Sequence, residues 1–240
     1  MEVKLINYTQ NAKELLIFTK NTRLEMKPGL FDEIMAWPED RKMDELKYMA
    51  RTIPSSWEFC DFVFLVTGVT RAFTHQAVRT RNASYAQQTL RMVDVQEGFD
   101  VLRPELIEAD EVAASAYSDC MVEILMTYKL LRSRGIPAED ARGVLPTNIL
   151  TNIVCKYNLR TFSELCKSRT GGRTQNEYQM VVNLMADEAL KVMPWVGLFL
   201  FPAGRDKFSA IEKALAELKL TNPALAYDAM KDVDLLRKEQ

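Results

Sequence analysis

The segment HQAVRTRNASYAQQTLR, residues 75–91, limits the fold and the chemistry of this chain more narrowly than any other stretch. It holds three arginines and four amide side chains but no acidic residue, in a chain of 240 residues whose formal net charge is −2. Positive potential is therefore concentrated here and balanced by acidic surface elsewhere. Guanidinium groups bind phosphate and planar carbonyl groups through paired hydrogen bonds, and amides both donate and accept. The segment thus favours recognition of a nucleotide.

Composition excludes several classes of protein before any motif is considered. With 48% hydrophobic residues the chain can bury a large core. It has neither a run of eighteen apolar residues nor a secretory signal pattern, so we expect a cytoplasmic protein. A Ser-His-Asp triad would have to use His75, the only histidine. The four cysteines form no CxxC pair, which predicts buried reduced thiols and no metal centre. If the chain is an enzyme, a bound cofactor must supply the difficult chemistry.

Strand-like and helical segments alternate along the chain, which predicts an α+β fold with a small sheet and a larger helical body. Strands are expected at 3–9 and 59–69, and helices at 39–51, 110–135, 147–170 with a break near Asn158, and 174–193. The helix at 110–135 is apolar on all sides, which predicts a central bundle helix or one that contacts another subunit. We expect one domain over residues 1–240, in which the C-terminal helices of residues 207–240 (208–220 and 223–239) are peripheral.

A second basic segment, residues 156–173, carries five basic side chains against one glutamate. Arg142 lies between the two segments, in a short stretch bounded by prolines. At the end of the second segment, RTGGRTQ (169–175) offers backbone N–H groups ahead of a helix N-terminus, which is a common anion-binding arrangement. Two other interpretations stay open, namely arginines on solvated helix faces and a nucleic-acid-binding surface. The sequence pI of about 5.7 argues against the second.

These residues resemble the signature of the flavin-dependent thymidylate synthases. That signature is Arg-His-Arg, seven residues and Ser, inside the pattern Q-x-x-R-H-R-x-A-S-x-N-x-x-S-x-R. The spacing is kept by Gln76, Arg79, Thr80, Arg81, Ala83, Ser84, Thr89 and Arg91. The flanking segments SSWEF (55–59), ARGVLP (141–146) and YNLRTFSELCKSR (157–169) resemble further blocks of the same family.

The resemblance implies a homotetramer with active sites shared between subunits and no membrane or nucleic-acid partner. It implies FAD-dependent transfer of a one-carbon unit from 5,10-methylenetetrahydrofolate to C5 of a pyrimidine nucleoside monophosphate, dUMP by default, with NADPH as the reductant. Catalytic roles are implied for Arg169, at the pyrimidine carbonyls, and for Arg81. The implied flavin-binding set is Ser56, Arg79, Thr80, Arg81, Asn82, Gln87, Asn158 and Arg160. The implied nucleotide-binding set is Gln76, Gln87, Thr89, Leu90, Arg91, Arg142 and Arg169, with Arg91 and Arg142 near the phosphate.

Several positions depart from the family pattern. Thr80 stands in place of the signature histidine, Gln87 in place of an acidic residue and Leu90 in place of a small one. Because Gln87 and Leu90 fall on the expected nucleotide side, UMP or dCMP stays open as the acceptor, and hydroxymethylation stays open beside methylation. The loss of the histidine also leaves open an inactive relative that binds flavin or nucleotide.

Overall fold

A computed structural model of the chain describes residues 1–22, 25, 27–169 and 175–201, together with residues 215, 218, 219, 222, 225–227, 229–231 and 233. The strands of this described part are β1 (Glu2–Tyr8), β2 (Asp61–Thr70), β3 (Ala83–Gln87) and β4 (Leu150–Asn158). Its helices are α1 (Ala12–Asn21), α2 (Leu30–Met35), α3 (Glu39–Thr52), α4 (Arg71–Ala77), α5 (Glu105–Glu108), α6 (Glu111–Ser133), α7 (Ala138–Ala141), α8 (Leu159–Arg169), α9 (Asn176–Val192) and α10 (Gly197–Leu200). Short 3-10 helices span Pro54–Phe59, Arg142–Val144 and Pro194–Val196.

The strands form one antiparallel sheet in the order β1-β2-β4-β3. The predicted strands at 3–9 and 59–69 are confirmed as β1 and β2, and the helices predicted at 39–51, 110–135 and 174–193 are confirmed as α3, α6 and α9 within the described residues. A small sheet with a larger helical body confirms the α+β class.

The prediction of helix throughout residues 147–170 is wrong in its first half. Residues 150–158 form β4, and α8 begins only at Leu159. Thr151, Ile153, Cys155 and Tyr157 are buried and alternate with more exposed neighbours, which is the period of a strand. The β-branched residues of this stretch favour that conformation. The edge strand β3 was not predicted either, and it pairs with β4 over its whole length.

The core that supports the sheet is rich in aromatic side chains. Phe62 of β2 and Phe162 of α8 are fully buried with ring centroids 5.4 Å apart, and Tyr157 of β4 stacks on Phe162 at 6.3 Å. Helix α9 packs across β1 and β2 and buries Val182 and Met185. Each fully buried side chain of this kind contributes about 1.5–3 kcal/mol. The β3–β4 pair that carries the predicted site therefore rests on a rigid platform.

Helix α6 is not a central bundle helix of this chain, so that prediction is wrong. Tyr128 is its one buried residue, whereas Val122, Met126 and Leu130 are 58%, 67% and 57% exposed. These three lie four residues apart, on one face of the helix. The other part of the prediction, that α6 contacts another subunit, stays a prediction.

The cysteine prediction is correct for three thiols and wrong for the fourth. All four are free, and Cys60, Cys155 and Cys166 are buried, but Cys120 is exposed on α6. Burial raises the pKa of Cys60 to about 12 and that of Cys155 to about 11.

The C-terminal helices predicted within residues 207–240 lie mostly outside the described residues, and the single-domain prediction stays a prediction. None of the described helices is long and apolar enough to span a bilayer.

Candidate active site

The antiparallel pairing of β3 with β4 arranges the predicted site residues at two places. Ala83 is opposite Tyr157, so residues 79–82 lie beside residues 158–160, and we call this region the turn end. Gln87 is opposite Ile153, so residues 87–91 leave the other end of β3, which we call the loop end. At about 3.4 Å per residue, the five residues of β3 separate the two ends by roughly 15 Å.

At the turn end, a hydrogen-bonded turn presents two arginines to solvent. The Tyr85 hydroxyl lies 2.7 Å from the carbonyl oxygen of Ala77 and 2.9 Å from that of Thr80, and its one proton is donated between these two acceptors. Arg79 and Arg81 are exposed, and neither takes part in the ion pairs of the described residues. Two cations held by an ordered turn without carboxylate partners are suited to bind phosphate or carbonyl oxygens.

The other residues of the implied flavin set differ in how available they are. Asn82 is exposed next to Arg81. The Oδ1 atom of Asn158 accepts from the backbone N–H of Thr161 at 2.9 Å, so this side chain already caps α8. Ser56 is only 2% exposed, in the 3-10 helix that precedes β2. The structure therefore brings Asn82 and Asn158 to the turn end and leaves the Ser56 side chain in the interior.

Arg160 lies at the turn end but is already paired. Its Nη1 is 2.8 Å from Glu58 Oε1, and its Nε is 3.4 Å from Glu164 Oε1. The hydrogen bond that Arg160 donates to Glu58 is the largest cause of its raised pKa. A ligand that binds Arg160 must therefore compete with two carboxylates, both of them exposed.

At the loop end, α7 brings together the two arginines implied to bind phosphate. The Nε of Arg91 is 2.7 Å from Glu139 Oε2, and the Nε of Arg142 donates to the Glu139 carbonyl oxygen at 3.0 Å. All three side chains are exposed. The prediction that Arg91 and Arg142 act at one place is thus supported by the geometry, with Glu139 between them.

A third arginine, which sequence reasoning did not assign to the site, joins this group. Arg71 begins α4, and its Nη2 donates to the Gln88 carbonyl oxygen at 2.9 Å. Its Nε is buried and has no hydrogen-bond partner in the described part of the chain. Burial lowers the pKa of Arg71, and the positive charge of Arg142 lowers it further. Two guanidinium groups close enough to repel each other favour an anion between them.

The other loop-end residues that are implied to bind the nucleotide lie close to these arginines. The Gln87 amide donates to Thr74 Oγ1 at 3.1 Å. Thr89 Oγ1 accepts from the Arg91 backbone N–H at 3.1 Å, and Leu90 between them is half-buried. The hydrogen bonds of Gln87 and Thr89 therefore shape the strand end and the loop, rather than leaving both groups free.

Asp94 fastens the loop that carries Arg91 to helix α6. Its carboxylate accepts from Arg132 Nη2 at 2.9 Å and from the Tyr128 hydroxyl at 3.1 Å. Hydrogen bonds from Gln96, Arg132 and Tyr128 lower the pKa of Asp94 to about 2. The carboxylate therefore stays charged at neutral pH, and the loop end is anchored on one side by α6.

Arg169 and Gln76 occupy a third position, beside α4 and α9. The guanidinium carbon of Arg169 lies 5.1 Å from the ring centroid of Tyr178. The Gln76 amide donates to Gln175, which directly precedes α9. Within the described chain, Arg169 and Gln76 are thus near the start of α9.

A buried carboxylate fixes α4 relative to α9. Glu177 is 6% exposed and accepts from the Thr70 backbone N–H at 2.7 Å and from its hydroxyl at 2.6 Å. The same hydroxyl oxygen accepts from Phe73 N at 3.0 Å and caps α4. Sequence reasoning missed Glu177, because a glutamate in the first turn of a helix usually serves only the helix dipole.

Known proteins resemble this chain over most of its length. The family model described as "Thymidylate synthase complementing protein" matches residues 4–195. A flavin-dependent thymidylate synthase of Sulfurisphaera tokodaii is 30% identical over 197 residues, which cover 81% of this chain and 75% of that protein. The flavin-dependent thymidylate synthase of Pyrococcus abyssi is 31% identical over 198 residues, 80% of each chain.

One solved structure shares the fold. It is a UMP/dUMP methylase, PolB, from Streptomyces cacaoi, bound with 5-Br dUMP. It aligns with a TM-score of 0.70 at 19% identity, over 81% of this chain and 92% of that chain. At this identity the likeness establishes a common fold.

Proposed function

This chain belongs to the flavin-dependent thymidylate synthase family, and from that premise we propose that it transfers a one-carbon unit from methylenetetrahydrofolate to C5 of a pyrimidine nucleoside monophosphate. FAD is the proposed cofactor, NADPH the reductant and dUMP the default acceptor. The observation that carries the proposal is the set of arginines at both ends of β3 within an acidic chain, of which Arg71, Arg79, Arg81 and Arg142 take part in no ion pair of the described residues.

The turn end fits a flavin dinucleotide. Arg79 and Arg81 are exposed and unpaired among the described residues, and Asn82 adds an amide beside them. Together they offer charge-assisted donors for pyrophosphate and for ring carbonyl oxygens. When bound, the flavin would supply the reducing equivalents for the transfer. Arg79 and Arg81 would hold and orient it.

The loop end fits the phosphate of the nucleotide. Arg71 and Arg142 repel each other, and Arg91 meets only the exposed carboxylate of Glu139. A phosphate dianion at this place would relieve the repulsion and replace Glu139 as the partner of Arg91.

Arg169 is proposed to act on the pyrimidine itself. Its guanidinium, placed at the ring carbonyls, would stabilise the negative charge that develops on a ring oxygen during the reaction. A preorganised donor of this kind lowers a barrier by about 2.7–4 kcal/mol. Because arginine stays protonated, this role requires no proton transfer from the side chain.

We also propose active sites shared between copies of the chain, an arrangement that the separation of the two ends of β3 favours. The flavin-binding and phosphate-binding groups of one chain lie roughly 15 Å apart across a strand. A neighbouring copy can bring its turn end to the loop end of the first. The exposed apolar face of α6, formed by Val122, Met126 and Leu130, provides a surface for such assembly. We therefore propose a homotetramer.

A direct test incubates the FAD-loaded protein, reduced under anaerobic conditions, with labelled methylenetetrahydrofolate and each of dUMP, UMP, dCMP and CMP. Mass spectrometry of the products is expected to show dTMP from dUMP. Product from UMP or dCMP instead of dUMP would show that the acceptor is a different nucleotide and that the one-carbon transfer is correct. A mass increase equal to a hydroxymethyl group would show that the reaction is hydroxymethylation and not methylation. No product from any of the four would reject the proposal. Arg169→Lys, which keeps the charge but not the planar donors, is the matched control and should lose turnover.

A further inference from the structure

Among the described residues, the guanidinium of Arg169 contacts an aromatic ring. Its guanidinium carbon lies 5.1 Å from the ring centroid of Tyr178, and the ion pairs of the described residues do not include Arg169. Its Nε is buried and meets no hydrogen-bond partner in the described ranges. Arg169 is the last residue of α8. The contact with Tyr178 is the described interaction that bears most directly on where this cation lies.

Tyr178 is in turn fixed from several directions. It is 1% exposed in the first turn of α9, and its ring packs edge-on against Phe73 of α4 with centroids 5.1 Å apart at 87°. The preceding residue, Glu177, is bonded twice to Thr70. Burial raises the pKa of Tyr178, and interactions of its hydroxyl with Thr80 and with the positive charge of Arg169 lower it. The ring cannot shift unless α4 and α9 also move.

We propose that Tyr178 is a positioning residue for Arg169, whose ring holds the guanidinium in place for the acceptor pyrimidine. A carboxylate in the same position would occupy the guanidinium N–H groups and offset its charge. An aromatic ring attracts the cation through its quadrupole and leaves the N–H groups free to donate to ring oxygens. The inference rests on the function proposed above for Arg169, and it adds a residue that the motif resemblance did not single out.

A double-mutant cycle on the FAD-loaded protein tests this role. The affinity for dUMP is measured by calorimetry for the wild type, Tyr178→Leu, Arg169→Ala and the double variant. Tyr178→Leu is expected to weaken dUMP binding about 3- to 30-fold, the range of one cation–π contact. In the Arg169→Ala background the same change should alter the affinity less than about 2-fold, because the cation that the ring holds is gone. Tyr178→Phe, which keeps the ring, should remain closer to the wild type than Tyr178→Leu does.

Three results would overturn the inference. They are an unchanged affinity in Tyr178→Leu, an equal loss in both backgrounds, and a loss in Tyr178→Phe as large as in Tyr178→Leu. Should the leucine variant fail to fold, Tyr178→Met fills the same space with a flexible apolar chain and enters the same cycle. Phe18→Leu, which removes an edge contact of 5.6 Å with Phe31 in the α1–α2 region, controls for the loss of an aromatic ring elsewhere. Failure of the wild type to bind dUMP, or full binding by Arg169→Ala, would instead reject the proposed function.

Discussion

Replacing Glu177 by alanine should lower the free energy of unfolding by about 3–5 kcal/mol. The carboxylate is 6% exposed and accepts two hydrogen bonds from Thr70, at 2.7 and 2.6 Å. Hydrogen bonds to a charged group contribute about 1.5–3 kcal/mol each, and alanine would leave the Thr70 N–H buried without an acceptor. Glu177→Gln keeps one acceptor and converts the other to a donor, so we expect a loss of about 1.5–3 kcal/mol.

The measurement is urea unfolding followed by circular dichroism, at one protein concentration because assembly adds to apparent stability. Glu33→Gln is the matched control. It removes an exposed pair with Lys27 at 3.1 Å and should lower the free energy of unfolding far less than either Glu177 substitution. A loss below about 1 kcal/mol in Glu177→Ala would refute the argument that this carboxylate ties α9 to α4.

Further predictions concern the two ends of β3, the loop anchor and the thiols. Arg79→Ala and Arg81→Ala should each weaken FAD binding about 10- to 150-fold in a fluorescence titration. Arg51→Ala on α3 is the control and should leave FAD binding unchanged, because Arg51 does not lie at the turn end. Unchanged FAD affinity in the first two variants would show that these arginines are not part of the cofactor site. Glu139→Gln should raise dUMP affinity by up to about 5-fold, since it frees Arg91 from an exposed ion pair. The charge-matched control Asp140→Asn should change the affinity less. A weaker affinity in Glu139→Gln would contradict the idea that Glu139 competes with the phosphate for Arg91. Because the pKa of Asp94 is lowered to about 2, its contribution to stability should be complete at neutral pH and should disappear as the pH falls through about 4 toward 2. The variant Asp94→Asn should therefore lose less stability than the wild type over that pH range. If both proteins lose the same stability, Asp94 does not anchor the loop. Iodoacetamide at pH 8 should modify Cys120 before Cys60 or Cys155, whose raised pKa values keep them protonated; peptide mass spectrometry that finds Cys60 labelled first would contradict their burial.

Most elements of the fold could be predicted because their apolar residues repeat with a clear period. The strand β2 and the helices α3 and α9 are of this kind. The strand β4 was mistaken for helix because it runs directly into α8 at Asn158, so the change of period falls inside one continuous stretch. The edge strand β3 is five residues long and has no β-branched residue, and its conformation is set by pairing with β4.

The candidate site residues could be named from the sequence, and their contacts could not. The family resemblance implied roles for Arg79, Arg81 and Arg169 at a flavin and a nucleotide, and these roles stay predictions. The repulsion between Arg71 and Arg142 depends on distances across the fold, which one sequence does not contain. The same is true of the ring of Tyr178 beneath Arg169. The exposure of α6 depends on what covers it, so periodicity could not distinguish a buried helix from an interface.

The most direct test of the account is an experimental structure of the assembled protein with FAD and dUMP bound. We expect the flavin to contact Arg79 and Arg81, and the dUMP phosphate to contact Arg91 and Arg142. The pyrimidine carbonyls should lie within hydrogen-bond distance of an Arg169 guanidinium. A structure in which both ligands bind elsewhere, with these arginines in solvent, would contradict the central claim.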